Sequence, residues 1–386
     1  ADYEVDPDVP LTAADLLDIP AIALTITGLD LFDPETGIYV NPIQQVEGDG
    51  SIWEKPASVE LIDPAGADDF TLNVGARISG ELARWVICNA KFNFRLTFEA
   101  EYGATKLETD FFPDSDVDQY DTILLRANWG ESWLRDPTLK PPEYPDYPNF
   151  VSGSPDRTTY LHDQFAHDLF GATGNVTVEG RFVHLYLNGL YWGLYQVTER
   201  PDASFNAEHF GGEKEDWDIM KGAVGTANTS RNGLLQAGTR EAWDTLFSFF
   251  DFNGTSNTTT VTPVSDEDYQ IVKQYLDVEN LADYMITLCY IGRYDFPQKN
   301  WYAAGLPGAP GEPMIVPFRF YTWDSEASLS SNGANRTTLG SSSSDDTGPV
   351  RLYKRLRYNK EFQLMFADRL QKHFFNGGAM TPEAAS

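Results

Sequence analysis

Asp295, Asn300, Asp324 and Glu326 supply side-chain oxygens within one short stretch of this 386-residue sequence. Asp295 opens Asp-Phe-Pro-Gln-Lys-Asn-Trp, so a carboxamide follows a carboxylate five positions on. A Gly/Pro-rich turn comes next, and then an apolar run ending in Trp323-Asp324-Ser325-Glu326 puts carboxylates at the end of an expected strand. Hard cations such as Mg²⁺ take oxygen ligands of this kind and keep their remaining positions for water and phosphate. Each residue also has an ordinary reading. Asp295 precedes Pro297, where Asp caps a helix, Asn300 suits a turn, and Asp324 could cap a loop. A basic side chain, Lys221 in Trp217-Asp-Ile-Met-Lys-Gly, follows a short strand and could reach a phosphate.

The elements that must position these groups change character along the chain. Residues 1–20 are acidic, with one short helical turn expected at Thr12-Ala-Ala-Asp-Leu-Leu. From Ile22 to about residue 130, runs such as Ser58–Ile62, Phe70–Val74, Ala76–Gly80 and Lys91–Phe98 alternate apolar and polar residues, and Thr122–Arg126 is one more expected strand. That period of two marks half-buried antiparallel strands, and together they read as a twisted antiparallel sheet. Phe92, Phe94, Leu96 and Phe98 form one face of the fourth run, and Lys91, Asn93, Arg95 and Thr97 the other. A proline-rich loop, 137–155, leads to a helical stripe at Leu161, Phe165, Ala166, Leu169 and Phe170. Asn188-Gly189 between two apolar runs is the strongest hairpin signal in the chain.

Beyond the hairpin the pattern is mostly helical. Helices are expected at Glu241–Phe250, after the capping signature at Ser265, from Asp277 to Ile291, and as one amphipathic element over Arg351–Phe375. Residues 328–344 are rich in Ser, Thr and Gly without periodicity.

Composition sets outer limits. A formal net charge of −30 argues against nucleic acid and anionic membrane surfaces, both of which would repel the chain. It suits a protein in a salty or extracellular setting, or one that binds metal ions or basic partners. No apolar run approaches the roughly 20 residues that span a bilayer. The two cysteines, Cys88 and Cys289, lie in apolar surroundings and read as buried free thiols. Asn175, Asn228, Asn253, Asn257 and Asn335 stand in glycosylation sequons. His162 and His167 show no metal-ligand spacing and read as surface or structural residues. Nucleophile-elbow, Cys-x-x-Cys and phosphate-loop signatures are absent from the sequence.

Protein kinases use an Asp, an Asn five residues later and an Asp after a strand in this order. The local sequence resembles the CotH (spore coat protein H) family of atypical, secreted or spore-surface protein kinases. The resemblance runs from about Ser51 to Glu383. Its landmarks are Trp53-Glu-Lys-Pro-Ala-Ser-Val-Glu, Gly75-Ala-Arg-Ile-Ser-Gly, Lys91-Phe-Asn-Phe-Arg-Leu-Thr-Phe and Tyr102-Gly-x-x-Lys-Leu. Leu187-Asn-Gly-Leu-Tyr-Trp-Gly-Leu-Tyr-Gln-Val-Thr-Glu-Arg, Asp277-Val-Glu-Asn-Leu-Ala-Asp-Tyr, Asp295-x4-Asn300-Trp and Trp323-Asp324 complete the set.

The resemblance implies an α+β, bilobal protein-kinase-like fold. A strand-containing extension would occupy residues 1–50, an antiparallel-sheet lobe with one helix 51–200, and a helical lobe 201–386. It implies ATP with Mg²⁺ or Mn²⁺ as cofactors and a protein hydroxyl as acceptor. Lys91 would meet the nucleotide phosphates, and Glu199 and Arg200 would stand at the linker near the adenine. Asp295 would be the catalytic Asp, with Asn300 and Asp324 as metal ligands and Glu326 keeping a further carboxylate. Two positions depart from the family pattern. Glu81 falls in a loop expected near phosphate, and Trp-Asp-Phe-Asp of many members is Trp323-Asp-Ser-Glu here, so Ser325 replaces a packing aromatic. A nucleotide-binding module without turnover, and an acidic cation-binding surface protein, are the rival readings.

Overall fold

The computed structural model describes residues 12–43, 53–64, 69–80, 82–84, 91–128, 132, 159–222, 232–250, 264–293, 296–297, 299–309, 311–329 and 346–384. Asp295, Glu81, Cys88 and the sequons at Asn228, Asn253, Asn257 and Asn335 lie outside the described residues. The chain is mixed α+β and divides into two compact units. Residues 1–160 with 179–200 form the first, and 161–178 with 201–386 the second. A strand within the first fifty residues belongs to the first unit's barrel, and the helix after Leu161 packs in the second unit.

Seven strands of the first unit close into a barrel: β1 (Ala21–Ile26), β2 (Lys55–Ile62), β3 (Phe70–Ser79), β4 (Asn93–Thr97), β7 (Thr122–Arg126), β8 (Gly180–Leu187) and β9 (Leu190–Thr198). A five-residue helix, α1 (Gly28–Phe32), follows β1, and a small separate ribbon pairs β5 (Leu107–Glu108) with β6 (Gln119–Tyr120). The barrel order is β1-β2-β3-β4-β7-β9-β8, and a parallel pairing of β1 with β8 closes it. The antiparallel sheet expected from the sequence is therefore a closed one with a single parallel seam. Closure leaves no open edge on this sheet. Alternation fills the interior. Ile22, Leu24, Val59, Leu61, Phe94, Leu96, Val183 and Val197 are all buried in one apolar cluster. Asn188 and Gly189 adopt φ of 51° and 78°, the two left-handed residues of a tight hairpin. The Asn188 amide also grips β1, accepting from Ile26 N and donating to Ile26 O, each at 2.9 Å.

The second unit contains α2 (His162–Ala172), α3 (Ala203–Phe210), α4 (Glu241–Ser248), α5 (Asp266–Tyr275), α6 (Val278–Tyr290), α7 (Gly348–Leu356) and α8 (Lys360–Phe374). Ser265 caps α5 through Asp268 N at 3.0 Å, and Asp277 caps α6 through Asn280 N at 2.9 Å. The single amphipathic element expected over 351–375 is two helices. The chain turns at Arg357–Tyr358, and Asn359 caps the second helix through Phe362 N at 3.1 Å. The short strand expected before Lys221 and the one expected before Asp324 belong to a four-stranded sheet that runs through this unit in the order β11-β10-β12-β13. Its strands are β10 (Asp218–Lys221), β11 (Leu234–Ala237), β12 (Trp301–Leu306) and β13 (Val316–Thr322). Every residue of β12 is buried, so it carries no alternation to read. Asn280 docks α6 onto the sheet, accepting from Phe320 N at 2.6 Å and donating to Phe320 O at 3.2 Å. That docking places the C-terminal end of α6, and Arg293 beyond it, relative to the strand ends.

Candidate functional site

Strand register brings the candidate oxygen ligands of the second unit together. β12 and β13 pair antiparallel with Trp301 opposite Thr322 and Tyr302 opposite Tyr321. Asn300, just before β12, and Asp324, just after β13, therefore flank the same end of the sheet. Lys221, the last residue of β10, pairs with Tyr302 and ends at that side too. Asn300 and Asp324 have φ of 63° and 56°, the left-handed region that Asn and Asp tolerate better than other residues with a Cβ. Both strands of the pair therefore carry uncommon backbone at this one end.

The flanking aromatics fix those ends. Trp301 lies parallel to Trp243, ring centroids 6.2 Å apart, and donates from Nε1 to Pro297 O at 2.8 Å. Its indole is packed so closely that a Cβ on Gly348 (φ +46°) would stand 2.6 Å from the ring, and one on Gly222 2.8 Å from Nε1. Trp323 meets Tyr302 edge to face at 5.4 Å. Beside them the Tyr321 hydroxyl donates to Asn206 Oδ1 at 2.6 Å, and burial raises its pKa, so it stays a neutral donor.

The turn carrying Asp324 is gripped by buried polar groups. Arg293 donates from Nη1 to Ser325 Oγ at 2.6 Å and from Nη2 to Asp324 O. Ser325 N donates to Asp163 Oδ1. His162 Nδ1 donates to Glu326 O at 3.3 Å, and His167 Nδ1 is in hydrogen-bond contact with Thr322 Oγ1 at 2.9 Å. Asp163, His167, Arg293, Thr322 and Ser325 are all buried. Arg293 and Asp163 carry no motif in the sequence, and His167, expected as a surface or structural residue, is a buried structural one. The readable signal was the Asp163/His167 spacing of four, which puts both on one face of α2; the two side chains lie 3.5 Å apart.

The remaining candidates sit as follows. Lys91 is fully buried in the first unit, donating from Nζ to Leu194 O at 2.6 Å with the ammonium 4.5 Å from the centre of the Tyr195 ring. A strand lysine on a solvated face is thus excluded. Glu199 is buried at the end of β9 and accepts from Glu179 N at 2.9 Å, and Arg200 follows it, half-buried. Glu326 is half-buried two residues beyond Asp324, and Lys221 is half-buried. Asn175 is engaged inward, donating to Asp283 Oδ2 at 2.8 Å, so its sequon serves packing. Cys289, expected to be buried, is half-buried on α6.

An amide oxygen and a carboxylate at one strand-pair end are the donor set a hard divalent ion takes, usually with water and phosphate completing the shell. Among the described residues, no three His, Cys, Asp or Glu side chains cluster closely enough to hold a metal ion by themselves. No helix among them is long and apolar enough to cross a membrane.

Comparison with known proteins gives one family. The model of the CotH kinase protein family matches residues 150–385, more than half of the chain. No curated protein matches the sequence.

Proposed function

Because this chain belongs to the CotH kinase family, we propose that it transfers the γ-phosphoryl group of ATP to a hydroxyl on a protein, using Mg²⁺ or Mn²⁺. The observation that supports this reading most is the convergence of Asn300, Asp324 and Lys221 on one end of the four-stranded sheet. Asn300 and Asp324 would hold the divalent ion, with Glu326 as a further carboxylate nearby. When bound, the ion offsets charge gathering on the transferred phosphoryl oxygens.

The chain's own residues then have limited tasks, because phosphoryl transfer needs positioning more than covalent help. Asp295 would orient the acceptor hydroxyl and take its proton. Lys221 would steady phosphate oxygens from β10. Lys91 would act on phosphate, and Glu199 and Arg200 near the adenine. A secreted, extracytoplasmic setting suits the acidic surface and the family.

Incubation with labelled ATP and a panel of acidic and hydroxyl-rich proteins tests the reading. Wild type should label an acceptor, and Asp295→Ala and Asp324→Ala should not. Equal labelling by all three ends it.

One observation favours a second reading, nucleotide binding without turnover: Lys91 already satisfies its ammonium with a carbonyl and a ring face inside the first unit. A melting-temperature rise with ATP and Mg²⁺ in the absence of any transfer would select that alternative.

A further inference from the structure

Two different elements hold the backbone of the turn from Trp323 to Glu326. From α2, His162 takes the Glu326 carbonyl and Asp163 takes the Ser325 amide. From beyond α6, the Arg293 guanidinium forks onto the Asp324 carbonyl and the Ser325 hydroxyl. His167 secures Thr322 at the end of β13. Between these anchors Asp324 is kept at φ +56°, and that backbone angle sets the direction in which its carboxylate leaves the chain. A planar fork suits this task, since one rigid group fixes two acceptors at a set separation.

We propose that Asp163, Arg293 and Ser325 are positioning residues that aim the Asp324 carboxylate, and that the Ser325 hydroxyl is a working part of this clamp. The inference rests on the reading of Asp324 as a metal ligand and adds the residues that orient it. Ser325 is fully buried against Arg293, so the space beside the turn is filled by a guanidinium and has no room for an aromatic ring. Outer partners of this kind set ligand geometry, and their loss weakens metal binding while the ligands themselves remain.

The test titrates full-length protein with Mn²⁺, following free ion by electron paramagnetic resonance, and records the melting temperature of each variant. Ser325→Ala and Arg293→Lys should weaken Mn²⁺ binding by roughly 10- to 100-fold at a temperature where circular dichroism shows each fully folded. Asp163→Asn, which keeps an acceptor oxygen for the Ser325 amide, should retain near wild-type affinity, and Asp163→Ala should not. Lower melting temperatures with an unchanged Mn²⁺ dissociation constant in Ser325→Ala and Arg293→Lys overturn the proposal, because a merely structural network behaves that way. Ser325→Ala removes a single oxygen and Asp163→Asn only exchanges one oxygen for an amide nitrogen, so the comparison survives if Arg293→Lys fails to fold. Absence of Mn²⁺ binding by wild type is a separate result: it removes the metal reading of Asp324 and this inference with it.

Discussion

Two buried carboxylates in the second unit, Asp283 and Asp163, are neutralised in opposite ways. Asp283 on α6 meets side chains. It accepts from Arg369 Nε at 2.7 Å, Asn175 Nδ2 at 2.8 Å and His373 Nε2 at 2.8 Å, so its bonds tie α6 to α8 and to the segment after α2. Asp163 on α2 meets a backbone amide, that of Ser325, through one oxygen, with the His167 ring 3.5 Å from the other. Bonds from side chain to side chain fasten whole helices, whereas a bond to backbone fixes the dihedral angles of one turn. The first kind of carboxylate is expected to carry stability, and the second, on the proposal above, to set the geometry around Asp324. Mutations should separate the two.

The largest effect is expected at Asp283. Asp283→Ala takes the carboxylate from His373 and from Arg369, which keeps Thr173 O and Glu279, and breaking a buried ion pair typically costs about 3–5 kcal/mol. Chemical denaturation should show that loss, with Mn²⁺ affinity unchanged in the protein that remains folded. Unaltered stability would erase the contrast drawn here.

The same carboxylate predicts an acid limb. Burial alone would raise its pKa, yet hydrogen bonds from His373 and Arg369 hold it below the ordinary 3.8. Because the folded state binds the proton less readily than the unfolded one, this contribution is complete above pH 3.8 and drains away as pH falls toward the lowered value. Asp283→Asn should flatten that limb. A stability profile between about pH 2 and 5 decides it.

Ser325→Ala should be milder for the fold. Leaving a buried donor of Arg293 without this acceptor costs about 1–3 kcal/mol. Ser325→Phe forces a ring into filled space and should cost at least as much, about 1–3 kcal/mol from overpacking, with no gain in activity. A more stable or more active Ser325→Phe would contradict the packing described. Ser265→Ala, which removes an exposed cap on α5, sets the baseline at about 1 kcal/mol with no change in metal affinity.

The barrel was largely legible because a half-buried strand writes its burial as alternation. Phe92, Phe94, Leu96 and Phe98 all point inward as that pattern requires, and Asn188-Gly189 turned where its preference for positive φ said it would. Closure through the parallel β1–β8 seam was not legible, since pairing between strands far apart leaves no local mark. β12 escaped for another reason: fully buried, it has no polar face. The break between α7 and α8 turned on the Asn359 cap, which competes with an otherwise unbroken amphipathic pattern.

Of the candidate site, residue types and the end-of-strand place of Asp324 could be read directly. Its neighbours could not, because Arg293 and Asp163 are distant in sequence from the turn they hold. Ser325 shows the cost of reading one position alone. As a departure from the family pattern it stood for a lost packing aromatic, whereas in the folded chain its hydroxyl is bonded to a guanidinium.

The central claim is that Asn300 and Asp324 share one divalent ion. A crystal of the full chain soaked with Mn²⁺ and a non-hydrolysable ATP analogue, measured at the manganese absorption edge, tests it most directly. The account predicts an anomalous peak within coordination distance of the Asn300 amide oxygen and the Asp324 carboxylate, with phosphate oxygens on its open side. A peak elsewhere, or bound analogue with no ion between these two side chains, contradicts it.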